Sequence, residues 1–236
     1  MTSTSSIFEV MRPTRFSEFV GNARATRLVQ GLLSASIRPG LLITGPYGSG
    51  KTSLARLVAR AIVCERPEAG DPCGLCDSCH YTPRGTSSWG RGISVRNCAD
   101  YSDAQLKTDL MDSLYASAVP HVLILDEFHR AKTKLSDQLL TWVEDDSANL
   151  VVLLLTPFAN QVEPPLVQRL TSIQLNNPTM EEAVNFLLRA RDRMGYSVSD
   201  CDVVEICEAN AAQLRACLNL LHAHAAETRV GAVSGT

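Results

Sequence analysis

The run Gly45-Pro46-Tyr47-Gly48-Ser49-Gly50-Lys51-Thr52-Ser53 is spaced for one kind of chemistry, the holding of a phosphate chain. In the order G-x-x-x-x-G-K-T, bare backbone at Gly45, Gly48 and Gly50 lets N–H groups wrap phosphate oxygens. Lys51 can reach the outer phosphates as a positive charge, and Thr52 can offer its hydroxyl to Mg²⁺. A helix beginning at Lys51 adds the positive end of its dipole to that field. A Gly-rich turn that binds nothing is the plainer alternative, but it has no need of this lysine and threonine between an apolar run and a helix.

A second pair of chemical groups ends another apolar run. After His121-Val122-Leu123-Ile124-Leu125 come Asp126 and Glu127. In a phosphate-loop protein this is where Mg²⁺ is held, here by Asp126 through water, and where Glu127 orients and deprotonates an attacking water. Two acids that merely cap the next helix are the alternative. A third apolar run, Leu150 to Leu155, ends in Thr156, a polar residue placed to sense the last phosphate or to position water.

The cysteines form a third constellation. Cys64 is followed by Cys73-Gly74-Leu75-Cys76-Asp77-Ser78-Cys79-His80. Two overlapping C-x-x-C steps with a fourth thiol upstream suit a closed tetrahedral Zn²⁺ site, structural rather than catalytic because protein fills every position. Free thiols or a redox C-x-x-C pair are the alternatives, and a redox pair does not need four cysteines. His80 is a spare donor. Such a metal would fold an insert of about residues 64–92 that has little apolar content of its own. Cys98, Cys201, Cys207 and Cys217 lie among apolar or helical residues and are expected to be core thiols.

The elements that must position these groups follow from the pattern. Asn22 is expected to cap a helix reaching about Ser34, and Pro39-Gly40 breaks the chain before the first strand. A helix over 51–63 carries Leu54, Leu57, Val58, Ala61 and Ile62 on one face. Ile93–Cys98 reads as a short strand, Asp103–Ser117 as a helix, 132–144 as another helix, and Thr171–Leu175 as a final strand. Asn176-Asn177-Pro178-Thr179 marks a boundary between a nucleotide domain, 1–176, and a helical domain, 177–236. The second has helices at about 180–193, 200–208 and 211–225, and its tail from Glu227 is expected to fray. In the N-terminal segment, Pro13 fixes an extended turn, and Phe16, Phe19 and Val20 can pack over an apolar ligand face or, equally, form an ordinary hydrophobic segment. The buried, non-alternating strands imply an α/β fold on a parallel five-stranded sheet.

Composition sets outer bounds. At 236 residues, 45% apolar and 20% charged, the chain can bury a substantial core. A net charge of −3 excludes a broadly basic nucleic-acid binder, so any such contact falls to a local patch or to neighbouring subunits. Arg130, Lys132 and Lys134 form one such cluster, although a basic turn in solvent is the more usual outcome. No apolar run is long enough to span a membrane and the N-terminus has no signal-like apolar region, so a cytoplasmic protein is expected.

Taken together, the phosphate loop, the Asp126-Glu127 strand end, the polar tip at Thr156, an isolated Arg169 before the last strand and a C-terminal helical lid resemble an AAA+ ATPase. Three places are similar to its clamp-loader family, the bacterial DNA polymerase III gamma/tau subunits: Arg12-Pro13 with Phe16 and Val20-Gly21, the cysteine spacing, and Asp126-Glu127-Phe128-His129. The resemblance implies ATP, Mg²⁺ and Zn²⁺ as cofactors. It lays Arg12-Pro13 against the adenine, makes Thr156 the first sensor, and places Arg215 on the lid as the second sensor. Arg169 becomes the finger that reaches a neighbour's ATP. The family has Ser-Arg-Cys there and this chain has Gln168-Arg169-Leu170. The implied function is an ATP-hydrolysing motor that opens a sliding clamp and loads it on primer–template DNA, in a pentamer-like assembly with other clamp-loader subunits. A non-catalytic scaffold subunit, or another DNA-acting motor such as one for branch migration, is the alternative. Family members continue into a helical collar that these 236 residues do not include, so either a longer chain or another mode of assembly is expected.

Overall fold

Aliphatic runs without polar alternation can be buried only if both faces of their sheet are covered. In the computed structural model, which describes residues 6–35, 37–80, 92–100, 105, 120–131, 133–144 and 149–233, these runs become strands of one sheet. The strands are β1 Gly40–Thr44, β2 Ile93–Asn97, β3 His121–Asp126, β4 Leu150–Thr156 and β5 Thr171–Gln174, in the order β2-β3-β4-β1-β5. All the pairings are parallel. Register sets Thr44 beside Thr156, and Asp126 beside Asn97. The carboxyl ends of β3, β4 and β1 are therefore neighbours, and the three groups singled out above meet along one edge.

Successive side chains enter opposite layers. Leu41 and Ile43 join Leu54 and Val58 of α3, Lys51–Val63, and Val29 of α2, Ala23–Ala35. Leu42 instead faces Leu139 and Leu166, from the helices Thr133–Val143 and Pro164–Arg169. Ahead of these lie α1, Ile7–Val10, and the short α4, Asp77–His80, so the two covering helices are α5 and α6.

A third apolar cluster belongs to α7 Met180–Met194, α8 Asp200–Ala209 and α9 Leu214–Val233. Thr179 and Glu182 form a reciprocal cap at the start of α7, as Ser199 and Asp202 do for α8. Ile7 of α1 is buried in this cluster, not against the sheet, so the N-terminal segment joins the two halves of the chain.

Several sequence expectations are corrected. Asn22 does not cap α2 with its side chain. It sits at φ 56°, its Nδ2 donates to Asn176 O at 2.9 Å and its Oδ1 accepts from Asn176 N at 2.8 Å, while its own carbonyl accepts from Thr26 N. Phe16 is buried in the sheet core and not over the cleft, the ordinary hydrophobic packing that was the alternative for this segment. The last helix starts at Leu214 because Ala211 and Ala212 have positive φ, and it continues to Val233 where fraying was expected. Cys201 is exposed on α8, whereas Cys98, Cys207 and Cys217 are buried as expected. The helix expected at 103–117 is described only at Gln105, which is helical; Lys132 and the side chains of Lys134 and His80 lie outside the described residues.

Candidate functional site

The phosphate loop between β1 and α3 is held open by residues that tolerate no side chain. A Cβ on Gly45 (φ +147°) would stand 2.4 Å from Leu175 O, and one on Gly50 (φ +93°) would stand 2.8 Å from Phe19 Cζ. Glycine at these positions lets the backbone take the positive-φ turns of the loop without a side-chain clash. Lys51 is buried, and its Nζ donates to Gly45 O and Pro46 O, both at 2.8 Å. Burial pushes its pKa down, Asp126 and Glu127 push it back up, and the nearby Arg215 lowers it. The Ser49 hydroxyl is buried in the loop with no hydrogen-bond partner among the described residues.

Thr52 Oγ1 donates to Asp126 Oδ2 at 2.9 Å, which brings together two residues 74 positions apart. Asp126 Oδ1 in turn accepts from Glu127 N at 2.9 Å. Glu127 leaves the strand in the left-handed conformation, φ 56° and ψ 42°. A hydroxyl and a carboxylate on adjacent elements beside a glycine cradle are hard oxygen donors of the kind Mg²⁺ takes, so the residues fit that ion with triphosphate.

The cleft is closed from the far side by segments distant in sequence. Arg12, Pro13 and Val20 line it from the N-terminal segment, and Phe186 and Arg215 line it from α7 and α9. Arg12 is paired with Glu9 at 3.0 Å. Several lining residues carried no local signal, among them Phe8, Met11, Phe186 and Leu218. Arg56, one turn past Thr52 on α3, does not line the cleft but lies within electrostatic reach of Arg12 and Asp126. Burial pushes its pKa down to about 10, and Arg12 adds to that shift. No spacing rule marks a lone arginine inside a helix.

Two expected residues stand apart from the cleft. Thr156 is fully buried at the tip of β4, where its Oγ1 accepts from Phe158 N at 3.0 Å and donates to Phe158 O at 3.4 Å. Arg169, in the last turn of α6, is exposed, pairs with Glu144 and donates to Pro165 O at 3.3 Å.

The four insert cysteines do converge. The Sγ atoms of Cys64, Cys73, Cys76 and Cys79 all lie within 4.8 Å of one another, and Cys64 and Cys76 are 3.9 Å apart. Tetrahedral Zn–S bonds of about 2.3 Å require sulfurs about 3.8 Å apart, so the cluster fits that ion. Backbone N–H groups of Leu75 and Cys76 aim at Cys73 Sγ and lower its pKa to about 6, while burial raises Cys79 to about 12. The insert is tied back to the N-terminal segment, because Phe16 N donates to Asp71 Oδ1 at 2.6 Å.

A sheet in this order, with its phosphate loop after β1 and a helical unit over the cleft, has the fold of the AAA+ class of phosphate-loop proteins. The fold is similar to that of the RuvB Holliday junction branch migration motor of Thermotoga maritima, with a TM-score of 0.68 and 21% identity over 90% of this chain and 64% of that one. The profile of the family described as "DNA polymerase III, delta subunit" matches residues 22–179, and the chain belongs to that family. It is 26% identical to DNA polymerase III subunit tau of Bacillus subtilis over 93% of its own length and 39% of the relative's. It is 28% identical to DNA polymerase III subunit gamma/tau of Mycobacterium tuberculosis over 95% of its own length and 40% of the relative's. The chain thus spans about two-fifths of the length of these relatives.

Proposed function

We propose that this chain is an ATP-hydrolysing motor subunit of a DNA polymerase clamp loader. The observation that carries the reading is the hydrogen bond from Thr52 to Asp126, with Lys51, Glu127 and Arg215 around the same cleft. In this reading Arg12 and Pro13 lie against the adenine, and the N–H groups of Gly45, Gly48, Ser49 and Gly50 wrap the phosphates. Lys51 and Arg215 bring positive charge to the phosphates, and Ser53 offers them a hydroxyl. Mg²⁺ bound at Thr52 and Asp126 supplies neutralisation of that charge. Glu127 takes the proton of the attacking water, and Thr156 steadies the strand tip beside it. The cysteine cluster holds structural Zn²⁺, and the divide between nucleotide domain and lid falls at residues 176 and 177.

Arg169 supports an assembly reading. It is exposed and outside its own cleft, as a residue serving a neighbour's ATP must be. Its partner Glu144 is a solvent-facing carboxylate, and exposed pairs are worth little, so the guanidinium is easily released. ATP held between subunits would close them around primer–template DNA and an opened sliding clamp, and hydrolysis would release the clamp. No helix among the described residues is long and apolar enough to cross a membrane. That agrees with a cytoplasmic motor.

The test is ATP hydrolysis by wild type, Lys51→Ala and Arg169→Ala, with binding of a fluorescent ATP analogue measured in parallel. Lys51→Ala should lose binding. Arg169→Ala should bind normally and lose about 10³-fold or more of the assembled rate. Rapid turnover by an isolated monomer, undiminished in Arg169→Ala, would overturn the shared-site assignment.

A further inference from the structure

We propose that His129 is a positioning residue for Glu127: it orients the carboxylate that activates water and ties it to the tip of β4 through Phe158. This deepens the ATPase reading above and rests on it.

The backbone of Glu127 is fixed and its side chain is not. Its N–H is held by Asp126 Oδ1 and its carbonyl accepts from Arg130 N at 2.9 Å, so the left-handed turn is pinned on both sides. The carboxylate has no such anchor. Its Oε2 is buried and accepts no hydrogen bond among the described residues. A base whose carboxylate can rotate loses the alignment on which proton transfer depends.

His129 Nε2 stands 3.5 Å from that oxygen. The gap is a few tenths of an ångström longer than a hydrogen bond, a separation that active-site pairs close when substrate is bound. The ring is well placed to close it. Its side chain is only 11% exposed, and Nδ1 is buried without a partner among the described residues, so no other bond holds the imidazole away from Glu127. A neutral imidazole carrying its proton on Nε2 would donate to Oε2 and leave Oε1 for the water.

The ring plane is set from the other side. His129 meets Phe158 edge to face, with centroids 5.1 Å apart and planes at 84°. Phe158 N donates to Thr156 Oγ1. A continuous set of contacts thus runs from the sensor strand tip, through Phe158 and His129, to the catalytic carboxylate. Phe158 is 41% exposed, so its ring can be reached from outside the chain.

The experiment measures kcat, KM and ATP-analogue affinity of the full chain for His129→Ala, His129→Gln, Glu127→Gln and the double variant Glu127→Gln/His129→Ala. His129→Ala should lower kcat about tenfold or more with ATP affinity within about twofold of wild type. His129→Gln, which keeps a donor near the Nε2 position, should recover part of the rate. In the Glu127→Gln background the alanine should change little further. Equal losses in affinity and kcat, no rescue by glutamine, or an undiminished effect without Glu127 would overturn the proposal. A readout independent of turnover uses glutamate labelled with ¹³C at the carboxyl. The Glu127 resonance, assigned by its loss in Glu127→Gln, should move in His129→Ala, and an unmoved resonance would also overturn the proposal. A wild type that fails to hydrolyse ATP while the resonance moves would instead count against the ATPase reading alone.

Discussion

Single side chains decide whether the cleft exists. Gly50 turns with φ +93° directly beneath the Phe19 ring, so the loop and the N-terminal segment touch at a point with no room for a methyl group. Gly50→Ala should lower stability by about 1–3 kcal/mol, through both backbone strain and the clash. It should also weaken ATP-analogue binding at least tenfold. Phe19→Ala in the same chain removes the clash but leaves the strain. Thermal melts should then show partial recovery of Tm in the double variant, and no recovery would mean that φ alone matters. The loop itself was readable as sequence because eight adjacent residues carry it. Phe19 was expected over a ligand and does line the cleft, but its contact with Gly50 joins residues 31 positions apart and leaves no local trace. His129 could be read as a letter in Asp126-Glu127-Phe128-His129, but not as a neighbour of Phe158. That contact needs β3 and β4 to be adjacent, which only the strand order settles.

At the scale of elements, the strands were legible because continuous aliphatic runs have few other fates, and the carboxyl-edge alignment of β1, β3 and β4 followed. The joints between elements were not. Asn22 carries the usual signature of a helix cap, yet its amide forms two hydrogen bonds with the backbone of Asn176, much as a neighbouring peptide group would. This clasp fastens the start of α2 to the exit of β5, where the chain turns toward the lid. Asn22→Ala removes both bonds and places a β-carbon residue with no compensating side chain at positive φ. It should destabilise the protein by about 2 kcal/mol. Asn22→Gly, which keeps the turn but not the bonds, should cost less. A glycine variant at least as unstable as the alanine one, by denaturant midpoint, would show that the hydrogen bonds and not φ dominate. Likewise, Ala211 and Ala212 look helical by propensity. Their positive φ comes from Ala212 N donating to Cys207 O, which wraps the end of α8 and delays α9 until Leu214.

For the whole molecule, the cysteine cluster, the N-terminal segment and the cleft form one mechanical unit. Asp71 lies two residues before Cys73 and holds Phe16 N, and three residues further on Phe19 covers Gly50. Protein purified without chelator should therefore carry about one Zn²⁺ per chain by metal analysis. Stripping the metal should lower Tm by on the order of 5–10 °C and weaken ATP-analogue binding several-fold. Metal-free preparations with unchanged Tm and affinity would refute this coupling. The wall of the cleft has one more consequence. The phosphate loop and the Asp126-Glu127 pair come from the ends of β1 and β3, whereas Phe8, Met11, Val20, Phe186 and Leu218 come from segments outside the sheet. The gene can therefore vary the apolar wall of the cleft without disturbing the phosphate loop or the acid pair. Lineages, or a laboratory library randomised at those five codons, could explore ligand preference while inheriting that loop and acid pair intact.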